Sequence, residues 1–151
     1  RQLLLWAAKL HELGLMVAHG QYHTHGAYLL ENMDLAGFSR QEQKALAVLV
    51  RLHRRKFRPE VLETLDDARK ETLARLALLL RLAVLFNRGR NQEELPLIPI
   101  RIDGASVLLT LDEDWINEHA LTQADLDNEQ SFLKPSQFTL ELNVIGGNES
   151  A

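Results

Sequence analysis

The chain has 151 residues and a net charge of −4, and its 46% hydrophobic content is enough to build the core of one ordinary domain. It contains no cysteine and no apolar run of the roughly 18 to 20 residues that a membrane span needs, which excludes disulfides, zinc–thiolate sites and spanning helices and favours the cytoplasm. Residues 1–102 carry 16 Lys and Arg against 11 Asp and Glu, whereas residues 103–151 carry 1 against 10. An anionic ligand is therefore expected to bind the first part.

Three helices are predicted in the first third of the chain. Apolar residues recur with a 3.6-residue period over residues 1–18, and a second helix is predicted over residues 25–32. Ser39 and Glu42 have the spacing of a capping box, which predicts a third helix that ends near Arg54. The chain opens inside the first helical pattern, with neither a cap residue nor an initiator methionine, so we expect it to be cut from a longer polypeptide.

Two more helices are predicted before residue 90. Pro59 suits the first turn of a short helix, and Asp66 or Asp67 can cap a long one that reaches Asn87. Leucine and alanine form an apolar stripe along this long helix. The first 90 residues are therefore expected to be all-helical.

The pattern changes after a polar linker that begins at Asn91. A β-β-α-β appendage is predicted, with its parts at residues 97–102, 106–111, 114–133 and 138–142. Asp103 and Gly104, between the two first strands, are typical of a hairpin turn. The predicted fold class is α+β, mainly α, with a helical domain over residues 1–90 and a small α+β domain over residues 95–145.

Five of the six histidines lie in the helical unit, and neutral imidazole is a common metal ligand. Their spacing resembles the HD superfamily of phosphohydrolases, in which a histidine–aspartate pair, further histidines and a late aspartate hold the metal that activates water. The matching positions here are His11, Glu12, His23, His53 and Val84. Because glutamate and valine stand where that family has aspartate, the resemblance implies a degenerate HD-like helical domain without a metal ligand.

Three sequence blocks occur in order: WAAKLHELG at residues 6–14, HTHGAYLLEN at residues 23–32 and LVRLHRRK at residues 49–56. They are followed by LLRLAVLFNR at residues 79–88, by Trp115 and by LDNEQ at residues 126–130. Together these motifs resemble the C-terminal half of the exopolyphosphatase and guanosine pentaphosphate phosphohydrolase (Ppx/GppA) family. The resemblance covers nearly the whole chain, and three blocks in a fixed order are hard to obtain by chance.

That resemblance implies a multidomain enzyme whose N-terminal, actin-like domain binds the phosphate chain with Mg²⁺ and catalyses hydrolysis. This domain, and with it every catalytic residue, is expected to be absent from the chain. The C-terminal region is expected to help hold inorganic polyphosphate, to adjoin the N-terminal catalytic domain and to form a homodimer. For the guanosine branch, the resemblance implies a connection with the stringent response.

A basic segment at residues 51–58 is the candidate binding site, with five Arg or Lys and one His in eight residues. Such side chains bind phosphate oxygens through charge-assisted hydrogen bonds. At helical spacing several of them would share one face, and Arg88 and Arg90 would extend it. The predicted polyphosphate-binding residues are Arg51, His53, Arg54, Arg55, Lys56 and Arg58.

The same charges also suit a solvated helix end, where they would oppose the helix dipole and pair with nearby acidic residues. The candidates for such pairs are Glu60, Glu63, Asp66 and Asp67. Nucleic acid is not expected as a partner, because Phe57 is the only aromatic residue of this segment that could stack on a base.

The sequence therefore predicts the C-terminal accessory domain of an exopolyphosphatase, which binds polyphosphate and dimerises while another domain hydrolyses the terminal phosphate. Three alternatives stay open. They are the C-terminal domain of guanosine pentaphosphate 5′-phosphohydrolase, an independent metal-dependent HD phosphohydrolase, and a purely structural dimerisation module.

Overall fold

The computed structural model describes residues 1–88 and 93–147, and the chain divides into two compact units, Arg1–Val84 and Leu85–Ala151. The first unit is helical and the second holds a three-stranded sheet, so the predicted α+β, mainly α class is confirmed. None of the helices within the described ranges has the length and apolar character needed to cross a membrane.

Two sequence predictions concern residues that the structure does not describe. Arg90 and the start of the predicted linker at Asn91 both lie outside the described residues. The assignment of separate domains to residues 1–90 and 95–145 stays a prediction.

The first predicted helix is shorter than expected. Helix α1 spans Gln2–Leu10, and a separate 3-10 helix, Leu13–Met16, follows it, so one continuous helix over residues 1–18 is wrong. The cause is close backbone packing at Gly14, where a Cβ atom would lie 1.8 Å from the carbonyl oxygen of Tyr22. Only glycine permits such an approach, and the α-helix ends before it.

Helices α2 and α3 pack against each other in the core of the first unit. Helix α2 spans Tyr22–Asn32, and α3 spans Arg40–Leu52. The buried side chain of Gln43 joins them, since its Nε2 donates to the carbonyl oxygens of Leu30 at 3.1 Å and Met33 at 2.7 Å. These bonds satisfy carbonyl groups that the C-terminus of α2 leaves without a helical partner.

The predicted capping box at the start of α3 is confirmed. The backbone N–H of Glu42 donates to Ser39 Oγ at 3.2 Å, and the backbone N–H of Ser39 donates to Glu42 Oε2 at 2.7 Å. The two reciprocal bonds satisfy donors that a helix start would otherwise leave open, which explains why α3 begins where the sequence predicts.

A second 3-10 helix, Pro59–Thr64, precedes the long helix α4, Asp67–Asn87, in agreement with the sequence. Asp66 caps α4, because its Oδ1 accepts from the backbone N–H of Arg69 at 3.1 Å. The apolar stripe of α4 is buried in the core of the first unit, with Ala77, Leu78 and Leu80 fully inaccessible.

The second unit is built on a sheet with the strand order β1-β2-β3. Strands β1, Ile100–Asp103, and β2, Ser106–Asp112, form the predicted antiparallel hairpin, and Gly104 in its turn has a φ of 58°. Strand β3, Thr139–Ile145, pairs parallel with β2. Alternate residues of β2 face the core, which matches the period of a half-buried strand.

Two helices connect β2 to β3, where the sequence predicted one over residues 114–133. Helix α5 spans Glu113–Glu118 and α6 spans Ala120–Phe132, with His119 between them in a non-helical conformation. Gln130 on α6 donates to the carbonyl oxygen of Leu140 at 3.0 Å and so ties this helix to β3.

Candidate anion-binding site

A cavity of about 580 Å³ lies in the first unit, between the start of α2 and the end of α3. Four cationic side chains and no carboxylate line it. Its lining residues, which we call the basic cavity, are Gly20, Gln21, His23, Thr24, Arg51, Arg55, Lys56 and Arg58. Four of the six predicted polyphosphate-binding residues are therefore together at one concave site.

The sequence analysis expected several of the cationic residues to share one helix face, and the structure shows that they do not. Helix α3 ends at Leu52, and residues 53–58 form an irregular segment, here called the basic loop. Phe57 anchors this loop, because its side chain is only 2% exposed. Arg55 adopts a left-handed backbone conformation with a φ of 62°, which is unfavourable for a residue with a Cβ atom. The loop thus presents its cations by a local backbone geometry rather than by helical periodicity.

Two predicted binding residues are placed elsewhere. The guanidinium of Arg54 lies over the ring of Tyr22, 4.3 Å from its centroid, as in a cation–π contact. His53 is 2% exposed, and its Nδ1 hydrogen-bonds to the carbonyl oxygen of Val50. Neither side chain belongs to the lining of the cavity. Whether any of the six binds a ligand stays a prediction.

The acidic residues that follow the basic loop pair mostly with cations of α4. Arg58 and Glu60 approach to 3.6 Å, as expected for a solvated segment, and both side chains are well exposed. Glu63 and Asp67 instead pair with Lys70, each at 3.0 Å. Exposed pairs of this kind contribute about 0 to 1 kcal/mol, and of these acidic residues only Glu60 is paired with a cation of the cavity in the described contacts.

The pKa of His23 is lowered by its surroundings, which include the arginines near the cavity. Its pKa is lowered to about 4, first by burial and then by the positive charges of Arg54, Arg55, Arg51 and Arg58. At neutral pH the imidazole is uncharged, and its Nδ1 is buried without a hydrogen-bond partner among the described residues. The cavity therefore combines a neutral imidazole with four cations, which suits an anion with several oxygen acceptors.

The positions that correspond to the HD motif do not form a metal centre within the described residues. The rings of His11 and His23 both pack edge to face against His53, with centroid distances of 5.2 and 6.4 Å. Glu12 Oε1 lies 4.0 Å from His11 Nε2, and Val84 is half-buried on α4. No group of three or more His, Asp or Glu in the described chain is placed to hold a metal ion. The degenerate character of these HD positions stays a prediction.

Three lining residues were missed by the sequence analysis as binding residues: Gly20, Gln21 and Thr24. Gly20 and Gln21 lie at the turn into α2, where Gln21 has a φ of 53°, and Thr24 lies in the first turn of that helix. Their proximity to the basic loop depends on the packing of α2 against α3, for which a local pattern carries no signal. His23 was named only as a degenerate HD position. Its closeness in sequence to Gly20 and Thr24 was a signal that could have marked it as a lining residue.

The chain combines a helical unit that holds a cation-lined cavity with a second unit that holds a three-stranded sheet. Residues 1–130 match the family description "Ppx/GppA phosphatase, domain III". This stretch covers most of the chain, so the chain belongs to the Ppx/GppA phosphatase family, and the resemblance predicted from its motifs is confirmed.

Similar proteins carry one name, guanosine-5′-triphosphate,3′-diphosphate pyrophosphatase. The relative from Aeromonas hydrophila is 33% identical over 126 residues, which are 83% of this chain and 25% of that protein. The relative from Vibrio atlanticus is 36% identical over 132 residues, or 85% and 26%, and that from Pseudoalteromonas translucida is 32% identical over 127 residues, or 84% and 25%. The chain spans about a quarter of the length of these curated relatives.

Proposed function

We propose that the chain is the C-terminal domain of an enzyme that hydrolyses guanosine 5′-triphosphate 3′-diphosphate, and that the basic cavity binds phosphate groups of this substrate. The observation that carries the proposal is the convergence of Arg51, Arg55, Lys56 and Arg58 on one concave site without a carboxylate. The four cationic side chains repel one another, and a bound anion would offset this repulsion and be attracted by each of them. Several phosphate oxygens would also accept charge-assisted hydrogen bonds from guanidinium groups.

The names of the relatives support guanosine 5′-triphosphate 3′-diphosphate over inorganic polyphosphate, which was the first prediction from the sequence. Polyphosphate remains the second candidate because of one feature of the cavity. Its described lining contains no Phe, Tyr or Trp on which a guanine base would stack. The cavity is thus suited to phosphate groups, and we propose that any choice of guanine is made elsewhere in the enzyme.

Catalysis belongs to the rest of the enzyme in this proposal. Magnesium is bound mainly through carboxylate and other oxygen ligands, and the cavity has four cationic side chains and no carboxylate in its lining, which does not fit that ion. A Mg²⁺ requirement, a neighbouring N-terminal catalytic domain of the same chain, a homodimer and a cytoplasmic location all remain part of the proposal. The role of this domain is to hold the phosphate groups of the substrate.

Calorimetric titration of the 151-residue chain with guanosine 5′-triphosphate 3′-diphosphate, at low and moderate salt, tests the proposal. We expect binding that weakens with salt, because ions screen exposed charges. Replacing Arg51 and Lys56 by glutamine should weaken binding by about tenfold or more, since each charge-assisted hydrogen bond is worth about 1.5 to 3 kcal/mol.

The matched control replaces Arg69 and Arg75 by glutamine. This variant has the same net charge, and neither residue lines the cavity. An equal loss of affinity in both variants, or no binding at low salt, would contradict the proposal. Tripolyphosphate and long-chain polyphosphate, titrated in parallel, separate the two candidates. Clearly tighter binding of the long chain would favour polyphosphate.

A further inference from the structure

Arg81 is a buried cation outside the basic cavity. It lies on α4, is 2% exposed and is the largest of the fully buried side chains. Its Nη1 donates to the carbonyl oxygen of Leu52 at 2.5 Å, and its Nη2 donates to the carbonyl oxygen of Arg55 at 2.6 Å. A guanidinium is costly to bury unless its donors are bonded, so these two bonds are a condition for its position.

One acceptor lies at the end of α3, directly before the basic loop, and the other lies within the loop. Leu52 is the last residue of α3, whose terminal carbonyl groups have no helical partner, and Arg55 is the loop residue with the left-handed backbone. The guanidinium also lies 5.9 Å from the centroid of the ring of Phe57, the buried residue of the loop. Arg81 therefore contacts the chain at three positions between residues 52 and 57.

A rigid planar fork is needed for this arrangement. The two carbonyl oxygens belong to residues three positions apart, and guanidinium nitrogens reach both at once. The compact ammonium of a lysine has no such fixed fork, although it carries the same charge. The unfavourable φ of Arg55 persists only if its surroundings hold it, and the bond to its carbonyl oxygen does so.

From these contacts we infer that Arg81 is a positioning residue of the basic cavity: it fixes the backbone of residues 52–57 so that Arg55, Lys56 and Arg58 converge on an anion. This inference rests on the proposed function, because it names the residue that arranges the binding site. Arg81 does not line the cavity, so it would change the affinity for an anion only through the position of these residues.

Arg81→Lys is the main test, since it preserves net charge. Affinity for inorganic tripolyphosphate would be measured by calorimetry, and loop order by the rate of tryptic cleavage after Arg54, Arg55 and Lys56. We expect at least tenfold weaker binding and faster cleavage in the loop. Arg75→Lys, on the exposed face of the same helix, should change neither quantity.

A second variant separates positioning from general destabilisation. Leu78→Val removes one methylene group from the core side of the same helix and keeps Arg81 itself, whose side chain makes the hydrogen bonds to Leu52 and Arg55. If it weakens tripolyphosphate binding as much as Arg81→Lys does, or if Arg81→Lys binds like the parent chain, the inference is overturned.

The experiment also distinguishes failure of the inference from failure of the proposed function. If the parent chain does not bind tripolyphosphate at low salt, the proposed function fails. The cleavage rates then decide about Arg81 alone: faster cleavage in Arg81→Lys than in Leu78→Val supports its hold on the loop, and equal rates refute it.

Discussion

His53 is a histidine kept neutral inside the first unit. Burial lowers its pKa to about 3 against the hydrogen bond to Val50, and repulsion from His11 and His23 in their protonated forms and from the Arg81 guanidinium lowers it as well. Its Nε2 has no hydrogen-bond partner among the described residues, so protonation would bury an additional unpaired charge. The sequence analysis named His53 both as a polyphosphate-binding residue and as a degenerate HD position; the structure shows that its side chain is buried, and both roles stay predictions.

The free energy of unfolding should fall in acid because of His53. Its folded pKa is below the ordinary value of 6.5, so between about pH 6 and pH 4 the unfolded chain binds more protons than the folded chain. One such group lowers stability by up to about 1.4 kcal/mol per pH unit. Urea unfolding at several pH values should show this slope, and His53→Gln should reduce it.

His23 contributes a slope in the same direction, since its pKa is also lowered, so the His53→Gln slope should be smaller but not zero. The exposed Met16 serves as control, and Met16→Gln should keep the parent slope because neither side chain titrates. Identical slopes in His53→Gln and the parent chain would refute the assignment of His53 as a buried neutral group.

Which residues line the basic cavity was only partly predictable from the sequence. A dense run of Arg and Lys indicates an anion site whatever the backbone does, so Arg51, Arg55, Lys56 and Arg58 could be named from sequence. The left-handed conformation of Arg55 and the reach of Arg81 depend on contacts between residues 26 and 29 positions apart. No local pattern encodes such contacts.

At the scale of elements, Gly14 decides how the first 3-10 helix meets α2. Gly14→Ala should lower the free energy of unfolding by about 3 kcal/mol, near the upper end for overpacking, because the added Cβ would meet backbone atoms of Tyr22 and Gly26. Denaturant unfolding measures this change. Gly20→Ala is the matched control, since nothing lies within 4 Å of its Cβ position. Equal effects of the two substitutions would contradict this account.

Elements with a local chemical signal were predictable. The capping box of Ser39 and Glu42 and the hairpin turn at Gly104 were recognised because their hydrogen bonds and backbone angles depend on neighbouring residues. Residues 1–18 and 114–133 were each predicted as one helix because the apolar period continues through Gly14 and His119. The breaks follow from tertiary packing at Gly14 and from a local conformation at His119 that the period does not show.

For the whole molecule, the family match ends at residue 130, before β3, and the chain is about a quarter of the length of its relatives. We predict that the 151-residue chain binds guanosine 5′-triphosphate 3′-diphosphate without hydrolysing it, even with Mg²⁺ present. Release of inorganic phosphate should stay at the rate of the protein-free solution.

Hydrolysis by the chain itself would support the alternative of an independent metal-dependent HD phosphohydrolase. Phosphate release that depends on an added divalent metal and disappears in His11→Gln or His53→Gln would show that the HD positions are catalytic. Release that persists in both variants would point to a contaminating enzyme. The assay therefore separates a binding domain from a self-sufficient catalyst.

At position 55 the left-handed backbone favours residues other than arginine, whereas the proposed binding of an anion favours arginine. Glycine or asparagine would adopt this conformation with less strain, by about 1 kcal/mol, but would remove a cation from the cavity. In a lineage that no longer needs the anion, substitutions to these residues should accumulate at this position. Retention of arginine there, across divergent descendants, would mark the lineages in which the site is still in use.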